Sequence, residues 1–207
     1  MKIGIIDNQM GNIGSVVNAF KMLSEDVIAS ESKNVLEKLD AYVLPGVGAF
    51  PQAIRNFHKN GFGKFLDKQV IAKKKPFLGI CLGMQLLANS SDEQGFTEGL
   101  GWIDSHVVIL QNKPNFPIPH VGWNDLKIKN NRCLLQNIDE GSNFYFDHSF
   151  EFISTSQKVV LASSSYDKEI ISVVRKDHIF GTQFHPEKSQ RNGLKLLRNF
   201  INIINQM

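Results

Sequence analysis

The stretch LGICLGMQ, residues 78–85, decides the reading of this chain. A cysteine, Cys81, stands between Gly79 and Gly83 where an apolar run, 77–80, gives way to a helix-like one, 82–89. This is the G-x-nucleophile-x-G spacing of a strand–turn–helix elbow, whose tight turn leaves no room for side chains at the flanking positions. Such an elbow puts its nucleophile at the C-terminal edge of a sheet, where open α/β sheets bind ligands. A helix starting there aims free N–H groups and its positive dipole end at the sulfur, which favours thiolate, the reactive form. A buried structural cysteine is the commoner fate of a lone Cys, so the elbow reading needs a partner base elsewhere in the chain. Cys133, in NNRCLLQ with no glycine context, reads as structural.

Outward from the elbow, short apolar runs alternate with helical patterns. Residues 2–6 form a β-rich run ending at Asp7 and followed by a polar turn. Residues 13–23 carry Ile13, Val16, Val17, Phe20 and Leu23 on one helical stripe. Residues 41–44 read as a buried strand stopped by Pro45-Gly46, and helical stretches at 52–59 and 62–74 lead to the strand before Cys81. This alternation predicts an α/β fold with a mostly parallel central sheet flanked by helices. From Gly101 onward HVVIL, GWNDLKI, NFYFDHSFEF, KVVLAS and IISVV read as strands joined by polar turns, a more antiparallel C-terminal part. A final helix over 189–206 carries Leu194, Leu197, Phe200, Ile201 and Ile204 on one face. With no repeat or linker, residues 1–207 read as a single domain with one shared core.

The totals exclude several function classes. The net charge is +3, from 23 Lys+Arg against 20 Asp+Glu, and the basic run KKK at 73–75 is too short to argue for nucleic acid. No apolar stretch approaches the roughly 20 residues of a membrane span, and the N-terminal run is too short for a signal-peptide core. Two cysteines make no disulfide framework, and no CxxC or His-rich cluster suggests a metal. Neither GxGxxG nor GxxxxGK occurs, so no nucleotide or other cofactor is expected. The expected location is the cytoplasm.

Six histidines compete to serve as the base. His58 and His178 lie in polar stretches and read as surface residues. His106 begins an apolar strand, and His120 and His148 have aromatic surroundings. His185 ends the strand-like GTQF and precedes Pro186-Glu187, so the chain turns there and leaves the imidazole at an edge. Glu187, two residues on, is placed to accept the other ring N–H and fix the tautomer. On spacing alone, a satisfied turn histidine is nearly as good a reading.

GICLGMQ together with GTQFHPEKS resembles the class I glutamine amidotransferases, whose triad is Cys–His–Glu. IIDNQMGNIGS, LPGVGAF, PHVGWN and FYFDHSF are similar to the HisH family, the glutaminase subunits of imidazole glycerol phosphate synthase, over essentially the whole chain. The resemblance implies Cys81 as nucleophile, His185 as base and Glu187 as its orienter. It implies an oxyanion hole from Leu82 N–H and the PGVG loop, with Val47 and Gly48, where one N–H must reorient before the hole is complete. It implies that Gln85, Glu93, Ser149 and Phe150 hold L-glutamine, although Glu93 in SSDEQ also reads as an exposed loop charge. It further implies a heterodimer with a HisF-type (βα)8-barrel cyclase subunit, contacted through Asn12, Trp123, Tyr145 and Lys188. For Trp123, packing within a sheet is the competing role.

Two departures from the family pattern stand out. Asp147 occupies a position before the histidine of FYFxHSF that is usually apolar, and DNQMGN replaces the common DYGMGN. A paralogous branch supplies ammonia to a sister barrel protein that aminates sugar precursors of surface glycan, and these departures keep that branch open. An intact Cys81, His185 and Glu187 argue against a non-catalytic binding module. Gln85 and the PGVG loop argue against a general thiol hydrolase.

Overall fold

The computed structural model describes residues 1–130 and 133–207. In chain order its strands are β1 (Ile3–Ile6), β2 (Val27–Ser30), β3 (Ala41–Gly46), β4 (Phe77–Cys81), β5 (Ser90–Ser91), β6 (Thr97–Glu98) and β7 (His106–Ile109). They continue with β8 (His120–Asp125), β9 (Lys127–Ile128), β10 (Asn143–His148), β11 (Phe150–Ile153), β12 (Val160–Tyr166), β13 (Lys168–Lys176) and β14 (Ile179–Thr182). The main sheet runs β2-β1-β3-β4-β14-β13-β12-β9. Its pairings are parallel from β2 to β14 and antiparallel from β14 to β9. The parallel half followed by an antiparallel half is the architecture that the sequence texture predicts.

Side-chain alternation along the central strands divides the core between the two faces of this sheet. Ile3, Ile5, Val43, Leu78 and Ile80 pack on one face with Phe20, Phe180 and Phe200. Tyr42, Leu44 and Phe77 pack on the other with Phe50, Phe57, Phe62 and Trp102. The helix Ile13–Met22 starts where the Asn12 side chain accepts the Ser15 N–H at 3.2 Å, a standard N-cap. The helix Phe50–Asn60 ends at Gly61 in the left-handed region, and Gln190–Asn205 closes the chain against the first face.

Several expectations need correction. Pro45-Gly46 does not stop its strand: β3 runs through both residues, Pro45 pairing with Ile80 and Gly46 with Cys81. The helix after Cys81 covers only Leu82–Gln85, since the chain must turn at Ser90-Ser91 to enter a second sheet. The stretch 62–74 divides into Phe62–Leu66 and a wider π turn, Asp67–Ala72. Strand β2 is absent from the sequence reading because this edge strand is only partly buried and lacks a clear apolar run. His178 is not a surface residue: it is buried, and its Nε2 bonds the Val70 carbonyl at 2.8 Å. Among the described residues no helix is long and apolar enough to cross a membrane.

Candidate active site

Parallel pairing of β3, β4 and β14 brings their C-terminal ends, Gly46, Cys81 and Thr182, to one edge of the sheet. Cys81 ends β4 with φ 54° and ψ −110°, a conformation that L side chains seldom adopt. The glycines beside it are required by close approach. A Cβ on Gly83 would lie 1.9 Å from the Leu44 carbonyl oxygen, and one on Gly79 would lie 2.4 Å from the Gly83 carbonyl oxygen. The turn therefore holds the sulfur where sheet and helix meet, as the elbow spacing requires. Cys81 is 6% exposed and forms no disulfide.

His185 approaches from the end of β14. The strand stops at Thr182, so Gln183 and Phe184 lie beyond it, and His185 is buried rather than at an exposed edge. Its backbone is anchored on both sides: its N–H donates to the Tyr145 carbonyl at 2.8 Å, and its carbonyl accepts the Ser189 hydroxyl at 2.6 Å. The ring Nδ1 lies 2.7 Å from Glu187 Oε1, both side chains being almost wholly buried. Nδ1 therefore carries the proton, and Nε2 is left with no hydrogen-bond partner of its own. Burial by itself would lower the His185 pKa. The nearby Cys81 sulfur and the Glu187 carboxylate outweigh that and raise it to about 10, which favours the imidazolium.

A cavity of about 290 Å³ opens over Cys81. The elbow contributes Cys81, Leu82 and Gln85, and the loop after β3 contributes Val47 and Gly48. Glu93 comes from the segment after β5, and Ser149 and Phe150 come from the junction of β10 and β11. Pro119, Asp147 and His148 complete the wall. Glu93 is a built-in part of this cavity and not a free loop charge, because its Oε2 accepts the Phe50 N–H at 2.8 Å. A larger hollow of about 410 Å³ beside His106 and Asp104 contains none of Cys81, His185 and Glu187.

The two backbone donors expected beside the sulfur differ in state. Leu82 is the first helical residue, so its N–H has no acceptor within the helix. Val47 N–H is committed elsewhere, donating to the Met10 carbonyl at 3.0 Å. Gly48, next to it, sits at φ 99°, a conformation glycine adopts freely and that leaves the loop room to change. The departure loop DNQMGN thus touches the PGVG loop directly.

Trp123 and Tyr145 face each other across β8 and β10, and their rings meet edge-on at 6.1 Å between centroids. Lys188 lies over the Tyr145 ring at 5.4 Å, with its Nζ 3.8 Å from the Asp147 carboxylate. These residues form one patch, which Asp147 joins to the cavity wall. Trp123 is half exposed while one edge of its ring packs on Tyr145. Asn12 is exposed on the loop that also carries Met10. Cys133 lies outside this region, its sulfur 2.8 Å from an Arg175 guanidinium nitrogen; Asn131 and Arg132 of its motif fall outside the described residues.

Two features of the site escape a reading of spacing. His120 and His148 are both buried and linked Nδ1 to Nε2 at 3.0 Å. His148 Nδ1 donates to the Phe150 carbonyl, and Asn124 Nδ2 donates to His120 Nε2, so every ring nitrogen is used with both rings neutral. Desolvation lowers the pKa of His120 to about 4 and of His148 to about 3. The second feature is Gln183, wholly buried between Gln85 and Cys81. An amide immediately before Phe184 at the end of a buried strand was its signal.

A family model described as glutamine amidotransferase class-I matches residues 5–204. The imidazole glycerol phosphate synthase subunit HisH 1 of Campylobacter jejuni is 45% identical over 97% of this chain and 100% of its own length. The subunit HisH 2 of Methanococcus maripaludis is 43% identical over 96% of this chain and 98% of its own. Among solved structures, a glutamine amidotransferase superposes with TM-score 0.77 at 20% identity over 98% of both chains. A glutamine amidotransferase from Thermotoga maritima superposes with TM-score 0.70 at 18% identity, covering 100% of this chain and 99% of that one. These structures share the fold, and the closer relatives share the sequence along its length. The chain belongs to the class I glutamine amidotransferase family and, within it, to the HisH group.

Proposed function

We propose that this chain is the glutaminase subunit of an imidazole glycerol phosphate synthase, acting in the cytoplasm as one domain over residues 1–207. In this reading it releases ammonia from L-glutamine and passes it to a HisF-type (βα)8-barrel subunit for histidine biosynthesis. The observation that carries the reading is that Cys81, Gln85 and Glu93 line one cavity while the bonded His185–Glu187 pair lies just past the end of β14, the strand beside β4, with His185 next to Cys81.

The Cys81 thiolate attacks the side-chain amide carbon of glutamine, and the C–S bond forms as the carbonyl π pair moves to oxygen. Leu82 N–H and, after reorientation, Val47 N–H receive that oxyanion. His185 gives its proton to the amide nitrogen, the C–N bond breaks, and ammonia leaves with a thioester on Cys81. His185, now neutral, takes a proton from water. The resulting hydroxide attacks the thioester, glutamate departs and the thiolate returns. Glu187 keeps the imidazole in one tautomer and stabilises its charged form throughout. Glu93 supplies negative charge for the α-ammonium group of glutamine, and the Ser149–Phe150 segment lines the wall beside it.

The exposed Trp123–Tyr145–Lys188 patch, with Asn12, is the surface offered to the barrel subunit; aromatic side chains with polar tips bury much area at such contacts. Labelling with a glutamine-directed electrophile should modify Cys81 and abolish ammonia release, and a label on any other residue overturns the assignment.

A second reading is favoured by Asp147, which lines the cavity with its carboxylate 3.8 Å from Lys188 Nζ, and by the DNQMGN loop against PGVG. Here the chain would be a paralogous HisH-like glutaminase supplying ammonia for a sugar precursor of surface glycan. The chemistry on this chain is unchanged. Rescue of growth without histidine in a strain lacking its own glutaminase subunit supports the first reading; failure, with a different barrel protein co-purifying, supports the second.

A further inference from the structure

We propose that Gln183 is a working residue of the thiol centre: it donates a hydrogen bond to the Cys81 sulfur and, through Gln85, fixes which polar atom faces the substrate. The inference rests on Cys81 being the nucleophile and adds to that reading.

The orientation of both amides follows from one fixed acceptor. Gln85 places a terminal atom 3.0 Å from the Phe150 carbonyl oxygen, which can only accept, so that atom must be the NH₂ group. Its second N–H points to Gln183, 3.1 Å away, so the Gln183 atom there must be the carbonyl oxygen. The Gln183 NH₂ is then the group 3.8 Å from Cys81 Sγ, within reach of a hydrogen bond to sulfur. Nothing in this chain can be reversed singly without setting two acceptors or two donors against each other.

The consequence depends on charge. The protonated thiol has its own acceptor, the Asp147 carbonyl at 3.8 Å. On ionisation that contact is lost, while the Gln183 contact becomes charge-assisted and stronger. Gln183 therefore favours thiolate independently of His185. Full burial raises the stake, because a Gln183 N–H without the sulfur has no water to turn to. Its backbone is held in place as well, its N–H donating to the Ser172 carbonyl at 2.9 Å. With both Gln85 N–H groups spent, Gln85 presents its oxygen to the cavity, an acceptor suited to an N–H or ammonium group of the ligand.

The test is the pH dependence of Cys81 alkylation by iodoacetamide, followed by mass spectrometry on the full chain. Glutamine kcat and KM, measured with the barrel partner, accompany it. Replacing Gln183 by Met (Q183M) should move the alkylation profile about one pH unit upward, giving about tenfold slower labelling near neutrality, the size of one hydrogen bond to a charged group. Q183E, which keeps the shape but offers no donor when ionised, should move it at least as far. Both should lower kcat more than a loss of packing alone, and raise KM as Gln85 becomes free to turn. Q183N retains the amide but withdraws it from the sulfur, and covers the case in which the larger changes impair folding. Gln85→Met leaves the Gln183 donor in place, so it should raise KM with little change in the alkylation profile. A folded Gln183 variant with the wild-type profile overturns the proposal. Wild-type chain that still hydrolyses glutamine once Cys81 is fully alkylated overturns the nucleophile assignment instead.

Discussion

The amide of Val47 donates to the carbonyl of Met10 at 3.0 Å, although the residue before it, Gly46, pairs in register with Cys81. In the proposed reading this loop supplies an oxyanion donor, and here that N–H is bonded to Met10 instead. Val47 is also 43% exposed, so its side chain is free to follow a turn of its peptide. In the proposed reading, partner contacts on Asn12, two residues from Met10, weaken the Met10 bond, and they shift the loop only by their differential affinity for its two states.

The first prediction is strong dependence on the partner. The isolated chain should hydrolyse glutamine slowly, and the complex with barrel protein and its ligand about a hundredfold faster or more, the effect of one oxyanion donor. Steady-state ammonia release for chain, complex and liganded complex measures this. Full activity in the isolated chain would mean that the hole is already complete and would sink the idea.

Replacing Cys81 separates chemistry from strain. Cys81→Ala should abolish turnover while leaving partner binding intact. Cys81→Gly should also be inactive, yet more stable than Cys81→Ala by about 1 kcal/mol, because φ 54° suits glycine and strains any side chain. Denaturant midpoints of the two variants decide; equal stability would show that the elbow stores no strain.

His185→Gln and Cys81→Ala should each remove nearly all activity, and the double variant should be no worse than either, since triad members act as one unit. Glu187→Gln should cost less, because it removes orientation and charge but not the base. Multiplicative losses in the double variant would contradict a shared relay.

Two opposite titrations should shape stability. His185 binds its proton more tightly folded than unfolded, so its contribution is complete below about pH 6.5 and fades as pH rises toward about 10. The stability difference between wild type and His185→Gln should therefore shrink over that window. His120 and His148 have lowered values, so the unfolded chain binds more protons there, and stability should fall as pH drops from about 6.5 toward 4. Denaturant midpoints across pH, with His120→Gln as comparison, measure both; a flat acid limb in wild type rejects the second.

Gly83→Ala should disrupt the elbow more than its size suggests. The new methyl would meet the Leu44 carbonyl oxygen at 1.9 Å, and backbone cannot yield as a flexible side chain can. A loss at or beyond the upper end of the usual about 1–3 kcal/mol for overpacking is expected, together with loss of turnover. Gly63→Ala, with nothing within 4 Å, is the matched control and should be nearly neutral.

What the sequence by itself determined is what contiguous residues enforce on one another. The elbow is legible in GICLG because steric exclusion at Gly79 and Gly83 is local; the His185–Glu187 contact is within reach across one turn, but spacing alone left a satisfied turn histidine nearly as good a reading. The helix Ile13–Met22 follows from its apolar stripe. Tertiary structure alone decided what depends on pairing between distant segments. Cys81 and Gln183 meet 102 positions apart because β4 and β14 pair in register, which no local pattern specifies. The Met10–Val47 bond, the buried His120–His148 link and the burial of His178 likewise arise from packing between elements. A polar side chain looks the same in sequence whether water or a buried partner satisfies it, and only the fold determines which one does.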